Sequence, residues 1–358
     1  MPKRLTFMFK PASSLCDLRC AYCFYADEAA TRAAPSVGMM SRETADACLR
    51  NVYAHTERGD EITFAFQGGE PTLAGLDFFE HFASEAKRLA PAGVRTAYAL
   101  QTNGLHLDDA WCAFLKAHGF LVGLSLDGDA VLHNRNRADA RGKSTHARVL
   151  QAKKRLDRHA VPYNVLCVLT AEHTRRAGRL FAFFKAEGVA HVQFIPCLEP
   201  LAGNPAPQTL TGTKFFRFYS DVYTLWRADP FLHVRFFEDI LGLFVHGRGI
   251  TCGISGHCMP QWVIEADGTT YPCDFYCLDG YAVGNLAVDT LETVYANLVA
   301  SEFFAPRPLP DRCAPCRCNR WCGGGCKRMA NVVYGEDCGV RMFLDAHLED
   351  LLRQCVSA

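Results

Sequence analysis

Three closely spaced cysteines constrain this chain more than any other feature. They are Cys16, Cys20 and Cys23, at the spacing C-x3-C-x2-C. They follow an apolar run, Leu5–Phe9, and thiolates this close on one loop can bind a single iron–sulfur cluster. Three sulfurs leave one iron of a four-iron cube open to a non-protein ligand. A structural zinc site is the alternative, but it needs four protein ligands, and the next candidates are Cys48 and His55.

The composition favours metal binding over disulfide bonding. The chain has 358 residues, 18 of them cysteines, and a formal net charge of zero. We find neither a signal peptide nor an apolar run as long as a membrane span, and abundant cysteine without secretion indicates metal ligation. Zero net charge gives no support for binding to nucleic acid or to an anionic membrane. We expect a cytoplasmic and anaerobic protein, because oxygen destroys exposed clusters.

The first 200 residues alternate between strand and helix patterns. The strand patterns are Leu5–Phe9, Glu61–Phe66, Arg95–Leu100, Val122–Leu126, Tyr163–Leu169 and His191–Ile195. The helical patterns are Thr44–His55, Phe78–Leu89, Asp109–His118, Val149–His159 and Arg175–Glu187. This order predicts βαβ units around a parallel sheet, either doubly wound or a partial barrel. In both, functional residues collect at the carboxyl ends of the strands.

Distinctive residues do follow several of these strands. After the second strand comes Gln67-Gly68-Gly69-Glu70-Pro71, whose glycines allow close backbone approach and whose glutamate offers an acceptor for an ammonium group. Gln101-Thr102-Asn103-Gly104 follows the third strand, and Ser125-Leu126-Asp127-Gly128 the fourth. These short polar side chains either bind a ligand or form Asx and ST turns.

A second cysteine-rich region follows a helical connector. Residues 201–249 carry two aromatic-rich helical segments, Lys214–Trp226 and His233–His246, and a last helical stretch covers Met342–Arg353. We therefore predict three parts, 1–200, 201–249 and 250–358. The third part contains eight cysteines at ligand-like spacings: Cys252, Cys258, Cys273, Cys313, Cys316, Cys322, Cys326 and Cys338. It also contains a predicted hairpin, Gln261–Glu265 and Thr269–Tyr271, with Gly268 at the turn.

Eight cysteines suffice for two fully ligated four-iron clusters. Zinc ribbons are the alternative, but they need symmetric CxxC pairs, and only Cys313 and Cys316 form one. Free cysteine is a common core residue, so we expect most of the seven others to be packing residues. They are Cys48, Cys112, Cys167, Cys197, Cys277, Cys318 and Cys355. Cys277 and Cys318 lie near ligand positions, and Cys355 is an alternative to Cys338.

The cysteine loop and Gly-Gly-Glu-Pro together resemble the radical S-adenosylmethionine (SAM) enzymes. That resemblance implies a partial (β/α)6 barrel over residues 1–200, with SAM bound to the open iron of a [4Fe–4S] cluster. It implies SAM contacts from Tyr22, Gln67, Gly68, Gly69, Glu70, Ser125 and Leu198. The later cysteines resemble the SPASM domain, whose two auxiliary clusters bring the total to three. By that resemblance, Cys252, Cys258, Cys273 and Cys326 hold one, and Cys313, Cys316, Cys322 and Cys338 hold the other.

Asp274 is the most informative residue outside the cysteines. A carboxylate beside a cluster ligand is disfavoured, because the thiolates are already negative. It is therefore either a hairpin-exit residue that binds local amides or a general base. The stretches Cys273–Tyr276, Cys23–Tyr25 and Leu126–Arg137 resemble the anaerobic sulfatase-maturating enzymes. This resemblance, which covers nearly the whole chain, implies that Asp274 is the base and that Tyr25 lines the substrate pocket.

The same resemblance implies oxidation of a Cys or Ser side chain in a sulfatase precursor to Cα-formylglycine. A 5′-deoxyadenosyl radical removes a Cβ hydrogen, Asp274 takes the thiol or hydroxyl proton, and an auxiliary cluster takes the second electron. The implied partners are the precursor and a flavodoxin- or ferredoxin-type electron donor, and we expect a monomer. Two alternatives stay open: a SPASM maturase that forms thioether or carbon–carbon crosslinks, and a non-catalytic iron–sulfur or zinc protein.

Overall fold

Strands and helices alternate along the chain in a computed structural model that describes residues 3–247, 249, 251–305 and 307–357, with side chains as far as residue 354. The chain forms two compact units. The first comprises Met1–Ser125, Asn134–Tyr163 and Pro260–Ala305, and the second comprises Leu126–His133, Asn164–Met259 and Pro306–Ala358. Each unit is thus assembled from segments far apart in sequence. The three-part division at residues 200 and 249 stays a prediction, and the side chain of Cys355 lies outside the described residues.

The described strands and helices have the following bounds. The strands are β1 (Arg4–Phe9), β2 (Glu61–Phe66), β3 (Arg95–Thr102), β4 (Leu121–Ser125), β5 (Tyr163–Leu169), β6 (His191–Pro196), β7 (His233–Val234), β8 (Val263–Ile264), β9 (Thr269–Tyr271) and β10 (Gly284–Asn285). The helices are α1 (Phe24–Thr31), α2 (Arg42–Tyr53), α3 (Leu76–Leu89), α4 (Asp109–Ala117), α5 (Ala130–Asn136), α6 (His146–Arg158), α7 (Ala177–Ala186), α8 (Gly212–Ala228), α9 (Arg235–His246), α10 (Leu291–Ala300), α11 (Asn319–Cys322) and α12 (Gly339–Ser357).

The first unit is built on a mixed sheet with the strand order β10-β9-β8-β1-β2-β3-β4. Strands β1 to β4 pair in parallel. The β8–β9 hairpin extends this sheet, because β8 pairs in parallel with β1 and antiparallel with β9. Alternation along β1 buries Phe7 and Phe9 on one face, where Phe9 packs edge-on against Phe82 of α3. Lys10, the next residue along the chain, is also buried.

The second unit contains the last parallel strands and an aromatic helical core. Strands β5, β6 and β7 pair in parallel. Helices α8, α9 and α12 contribute Tyr219, Phe237 and Phe343, which are buried and in mutual ring contact. These rings account for the aromatic content of the predicted connector, since aromatic side chains contribute large buried areas.

The structure contains all six predicted strands within two residues of their predicted ends. One helix prediction was wrong at its start: His233 and Val234 form β7, paired with His191 and Val192 of β6, and the helix begins at Arg235. Helices α1, α5, α10 and α11 were not predicted. The apolar pattern of α1 is weak because its buried residue is Glu28 rather than a hydrophobic side chain. No described helix combines the length and the apolar composition needed to cross a membrane.

Two glycines allow α8 to meet the start of α12. A Cβ atom on Gly212 would lie 1.6 Å from the carbonyl oxygen of Asp337, and one on Gly339 would lie 2.6 Å from that of Gly212. Both obstacles are backbone atoms, which cannot rotate away. This contact adjoins Cys338, so it fixes the position of a predicted cluster ligand.

We predict that Gly212→Ala lowers the free energy of unfolding by at least about 1–3 kcal/mol, because the added methyl overpacks a backbone contact. The measurement is urea denaturation of the apoprotein followed by circular dichroism. Gly178→Ala is the control, since a Cβ atom added at Gly178 of α7 would have no other atom within 4 Å, and it should stabilise by up to about 1 kcal/mol. Equal midpoints for the two variants would contradict the prediction.

Candidate active site and metal centres

The three cysteines of the first motif lie on the loop between β1 and α1. Their side chains are half-buried, and every one of the 17 cysteines whose side chains are described is a free thiol. Leu18 donates a backbone hydrogen bond of 3.4 Å to Cys16 Sγ, an interaction that also tunes iron–sulfur clusters. Burial raises the pKa of Cys16 to about 12, so a bound cation is needed to stabilise its thiolate. Free, half-buried thiols on one loop fit an iron–sulfur cluster with one open iron.

The Gly-Gly-Glu-Pro turn packs directly against this loop. Gly69 N donates to Ser13 O at 2.8 Å, and Glu70 N donates to Leu15 O at 2.7 Å. A Cβ atom on Gly69 would lie 2.0 Å from Leu15 O, so only glycine permits this approach. The second glycine of the motif therefore serves the cysteine loop itself.

The Glu70 carboxylate joins the turns that follow β2 and β3. It is buried and accepts hydrogen bonds from Thr72 N at 3.1 Å, Thr72 Oγ1 at 2.6 Å, Thr102 Oγ1 at 2.7 Å and Asn103 N at 2.7 Å. Burial raises the pKa of Glu70, and these donors oppose the rise. Because a carboxylate has about four acceptor positions, Glu70 holds two loops together in this structure. Its contact with the SAM ammonium stays a prediction.

Asp17 and His106 were not singled out from the sequence. Asn103 Nδ2 donates to Asp17 Oδ1 at 2.7 Å, and His106 Nε2 lies 3.1 Å from Asp17 Oδ2. The hydrogen bond with Asp17 raises the pKa of His106. Asp17 directly follows Cys16, so these contacts attach the cysteine loop to the loop after β3. The sequence signal for these contacts was the polar pair Thr102-Asn103, for which both ligand binding and a turn were possible interpretations.

The structure brings three predicted site residues together around one carboxylate. Tyr25 donates a 2.7 Å hydrogen bond to Asp274 Oδ2, although the two residues are 249 positions apart. Asp274 is 8% exposed, and its backbone N–H is bound by Gln261 Oε1 at 2.8 Å. Burial raises the pKa of Asp274, while the charge of Lys10 and hydrogen bonds from Tyr25 and Gln67 oppose the rise. Among the described residues, none donates a hydrogen bond of ordinary geometry to Oδ1.

A buried ion cluster, formed by Lys10, Glu28, Arg32 and Glu265, surrounds this pair. Lys10 Nζ lies 3.7 Å from Glu28 Oε2 and 3.6 Å from Glu265 Oε1. Arg32 Nη1 lies 2.6 Å from the same oxygen of Glu265. Lys10 Nζ also lies 4.7 Å from the centre of the Tyr25 ring. The cluster thus connects Tyr25 and Asp274 to three separate chain segments.

The charges in this region do not balance if every group is ionised. With Asp274, three carboxyl groups face the two cations. Burial raises the pKa of Glu28 to about 8, against the opposing charge of Lys10. Burial lowers the pKa of Lys10, but the surrounding acidic groups outweigh it and raise the value above normal. Burial also raises the pKa of Asp274, so Glu28 and Asp274 compete for the excess proton. A signal was present in the sequence, since Tyr25, Glu28 and Arg32 follow a helical spacing.

The remaining predicted SAM contacts are placed as follows. Tyr22 lies on the cysteine loop, with the Arg137 guanidinium carbon 5.4 Å from its ring centre. Ser125 ends β4 and is half-buried, and Gly68 follows Gln67 at the end of β2. Leu198 belongs to the second unit, two residues after β6. Their contacts with SAM stay predictions.

The predicted ligands of the second auxiliary cluster share one cavity. Its volume is about 370 Å³, and its lining includes Cys313, Cys316, Cys322, Cys338 and also Cys318. Arg312 and Arg341 line it as well, and their charges oppose that of a thiolate-bound cluster. These free thiols and cations fit an anionic iron–sulfur cluster.

Three predicted ligands of the other auxiliary cluster also lie together. Cys326 N donates to Gly253 O at 3.0 Å, next to Cys252. Burial, followed by the neighbouring Cys326 and Cys258 thiols, raises the pKa of Cys252 to about 11. The structure therefore brings Cys326 to Cys252 and Cys258, a crossover that spacing alone did not reveal. Cys273 belongs to the first unit, and its role as the fourth ligand stays a prediction.

The surroundings of Cys277 are not those of a cluster ligand. It is fully buried, in an apolar cluster with Val263 and Tyr271, against which Met8 packs. Its thiol lies 3.7 Å from the carbonyl oxygen of Cys273. These contacts are those of a core cysteine.

Comparison with protein families finds two matches. The Radical SAM superfamily matches residues 11–177, and a SPASM iron–sulfur cluster-binding domain matches residues 258–319. The matched regions contain the cysteine loop with the Gly-Gly-Glu-Pro turn and the β8–β9 hairpin with Asp274. They confirm the prediction of iron–sulfur clusters and SAM as the cofactors of this class.

Curated proteins and solved structures resemble nearly the whole chain. A cysteine-type anaerobic sulfatase-maturating enzyme of Clostridium novyi is 35% identical, covering 91% of this chain and 88% of its own. A serine-type enzyme of Klebsiella pneumoniae is 30% identical, covering 93% and 84%. A structure of native anSMEcpe with bound AdoMet and the Cp18Cys peptide aligns with a TM-score of 0.91 at 32% identity, covering 99% of both chains. This match confirms the predicted fold class, a partial radical SAM barrel followed by a SPASM domain. The chain belongs to the anaerobic sulfatase-maturating enzymes of the radical SAM superfamily.

Proposed function

We propose that this chain oxidises a Cys or Ser side chain of a sulfatase precursor to Cα-formylglycine, with Asp274 as the base. The observation that carries the assignment is the 2.7 Å hydrogen bond between Tyr25 and Asp274. Tyr25 follows Cys23 by two residues, so this bond holds a buried carboxylate near the cysteine loop, where a base is needed beside the radical cofactor. Relatives at 30–35% identity are named as serine-type and cysteine-type enzymes, so both substrate residues are included.

The chain's own thiols would hold the cofactors. Cys16, Cys20 and Cys23 would hold the first cluster, and Gln67, Gly68 and Glu70 would hold SAM. The auxiliary ligand sets are Cys252, Cys258, Cys273 and Cys326, and Cys313, Cys316, Cys322 and Cys338. When bound, SAM and the first cluster would provide the radical that removes a hydrogen atom from the substrate Cβ, and the auxiliary clusters would accept an electron.

Asp274 takes the thiol or hydroxyl proton of the substrate residue. Its Oδ2 is held by Tyr25, which leaves the buried Oδ1 as the acceptor. Lys10 stabilises the ionised form through its charge, which opposes the rise in pKa that burial causes. The carboxylate is therefore fixed in orientation before the substrate arrives, and its raised pKa makes it a stronger proton acceptor than an exposed aspartate, as a general base requires.

The proposed partners are a sulfatase precursor, which enters as an extended peptide, and a flavodoxin- or ferredoxin-type electron donor. The chain acts as a cytoplasmic monomer, without nucleic acid or membrane. A formal net charge of zero supports the last point.

We predict that Asp274→Asn abolishes product formation while leaving the cofactors in place. An amide cannot accept the proton, so the rate should fall by at least about 100-fold. The assay is mass spectrometry of a peptide with a C-x-P-x-R sequence after anaerobic incubation, together with iron content and SAM binding. Asp267→Asn, an exposed change in the same hairpin, is the control and should behave as wild type. Unchanged formylglycine yield in Asp274→Asn would reject the assignment.

Tyr25→Phe tests the hydrogen bond separately from the charge. The variant keeps the ring against Lys10 but loses the 2.7 Å bond, and hydrogen bonds to charged groups are worth about 1.5–3 kcal/mol. We expect product formation to fall by about 10-fold or more, yet less than in Asp274→Asn. Tyr295→Phe, at a ring that is 52% exposed, is the matched control. A rate equal to wild type would show that Tyr25 does not orient the base.

Lys10→Met tests the buried ion cluster. Removing one member of a buried charge pair leaves its partner uncompensated, so we expect a loss of about 3–5 kcal/mol in the free energy of unfolding. The double variant Lys10→Met/Glu28→Gln should recover part of that loss, because it also removes the carboxyl group that Lys10→Met leaves without its cation. Urea denaturation measures both. Lys154→Met, on the exposed face of α6, should change stability by less than about 0.5 kcal/mol. No recovery in the double variant would contradict the coupling.

A further inference from the structure

The cavity of the second auxiliary site is lined by one more thiol than a cluster needs. Five cysteines face it, namely Cys313, Cys316, Cys318, Cys322 and Cys338, whereas a fully ligated four-iron cube takes four. Cys318 is the surplus one. It is 1% exposed, so it faces the cavity rather than solvent.

Cys318 is held close to one ligand in particular. It follows Cys316 by two residues, and both residues line the same cavity. A chain of backbone turns fixes both: Cys316 N donates to Cys313 O at 3.2 Å, and Asn319 N donates to Cys316 O at 3.0 Å. The Cys318 carbonyl in turn accepts from Cys322 N at 3.2 Å. Cys316 and Cys318 therefore line the cavity from one short segment that backbone hydrogen bonds hold in place.

We propose that Cys318 is a reserve ligand of the second auxiliary cluster, able to replace Cys316. This inference rests on the proposed function, since it requires that cluster to be bound. Cys318 would take the place of Cys316 at one iron, and the Cys318 proton would pass to the Cys316 thiolate as that ligand leaves. No electron is gained or lost, so the step requires no oxidant.

The neighbouring thiols distinguish this arrangement from ordinary packing. A packing cysteine such as Cys277 lies among apolar side chains, whereas Cys318 lies among the four ligand thiols of one cavity. The lining contains five cysteines and no sixth, so only one ligand can be replaced. Cys318 is nearest in sequence to Cys316, and we therefore expect the cluster to tolerate loss of Cys316 but not loss of Cys313.

The test is the iron and sulfide content of anaerobically reconstituted Cys316→Ala, Cys318→Ala, the double variant and Cys313→Ala. We expect each of the first two to keep the wild-type iron content, and the double variant and Cys313→Ala to lose about four irons per chain. Electron paramagnetic resonance of reduced Cys316→Ala should show an auxiliary signal with altered g-values, which a merely structural role for Cys318 would not produce. Retention of the other roughly eight irons in the double variant shows that it still folds.

Two results would overturn the inference. Loss of about four irons in Cys316→Ala alone would show that Cys318 cannot substitute. Full iron in the double variant would show that another group is the ligand. Failure of the proposed function gives a different result. If the wild-type protein itself contains only about eight irons, the second auxiliary cluster is absent.

Discussion

Four buried charges close the cysteine loop on which the rest of the site depends. Lys10 precedes the loop and Glu28 follows it, and their charged atoms lie 3.7 Å apart. Glu265, in the turn of the β8–β9 hairpin, contacts both Lys10 and Arg32. Because an unpaired buried charge is strongly destabilising, each segment is stable in this position only when the others are present. The same assembly brings the hairpin residue Asp274 to Tyr25.

Local sequence patterns predicted most of the first unit. Alternating apolar residues placed β1 and β2, and the Gly-Gly-Glu-Pro turn was found at the end of β2, where the fold requires a close approach. The function of its parts was less predictable. Gly69 makes room for Leu15 O, and Glu70 is bound by four donors of neighbouring loops. Such roles depend on the tertiary neighbours, which spacing does not specify.

Long-range charge pairing was beyond the sequence patterns. Helix α1 was missed because it buries Glu28 instead of an apolar residue, and β7 was missed because two residues give no measurable alternation. Family resemblance implied roles for Tyr25 and Asp274 but not the hydrogen bond between them, since the residues are 249 positions apart. The grouping of Cys326 with Cys252 likewise follows from the fold around Gly253.

The two units provide cysteines in different ways. In the first, three free thiols lie on one loop, which under the proposed function would leave one iron open, and a buried carboxylate lies nearby. In the second, five thiols and two arginines line one cavity, which under the proposed function would supply a full set of cluster ligands. An open site suits bond cleavage, and a closed one suits electron transfer.

The most direct test follows a hydrogen atom from the substrate. The reconstituted protein is incubated anaerobically with SAM, a reductant and a peptide whose target cysteine carries deuterium at Cβ. Mass spectrometry should then find deuterium in 5′-deoxyadenosine and an aldehyde at the former cysteine, in equal amounts. Unlabelled 5′-deoxyadenosine, or a crosslinked peptide without aldehyde, would contradict the proposed oxidation at Cβ to formylglycine.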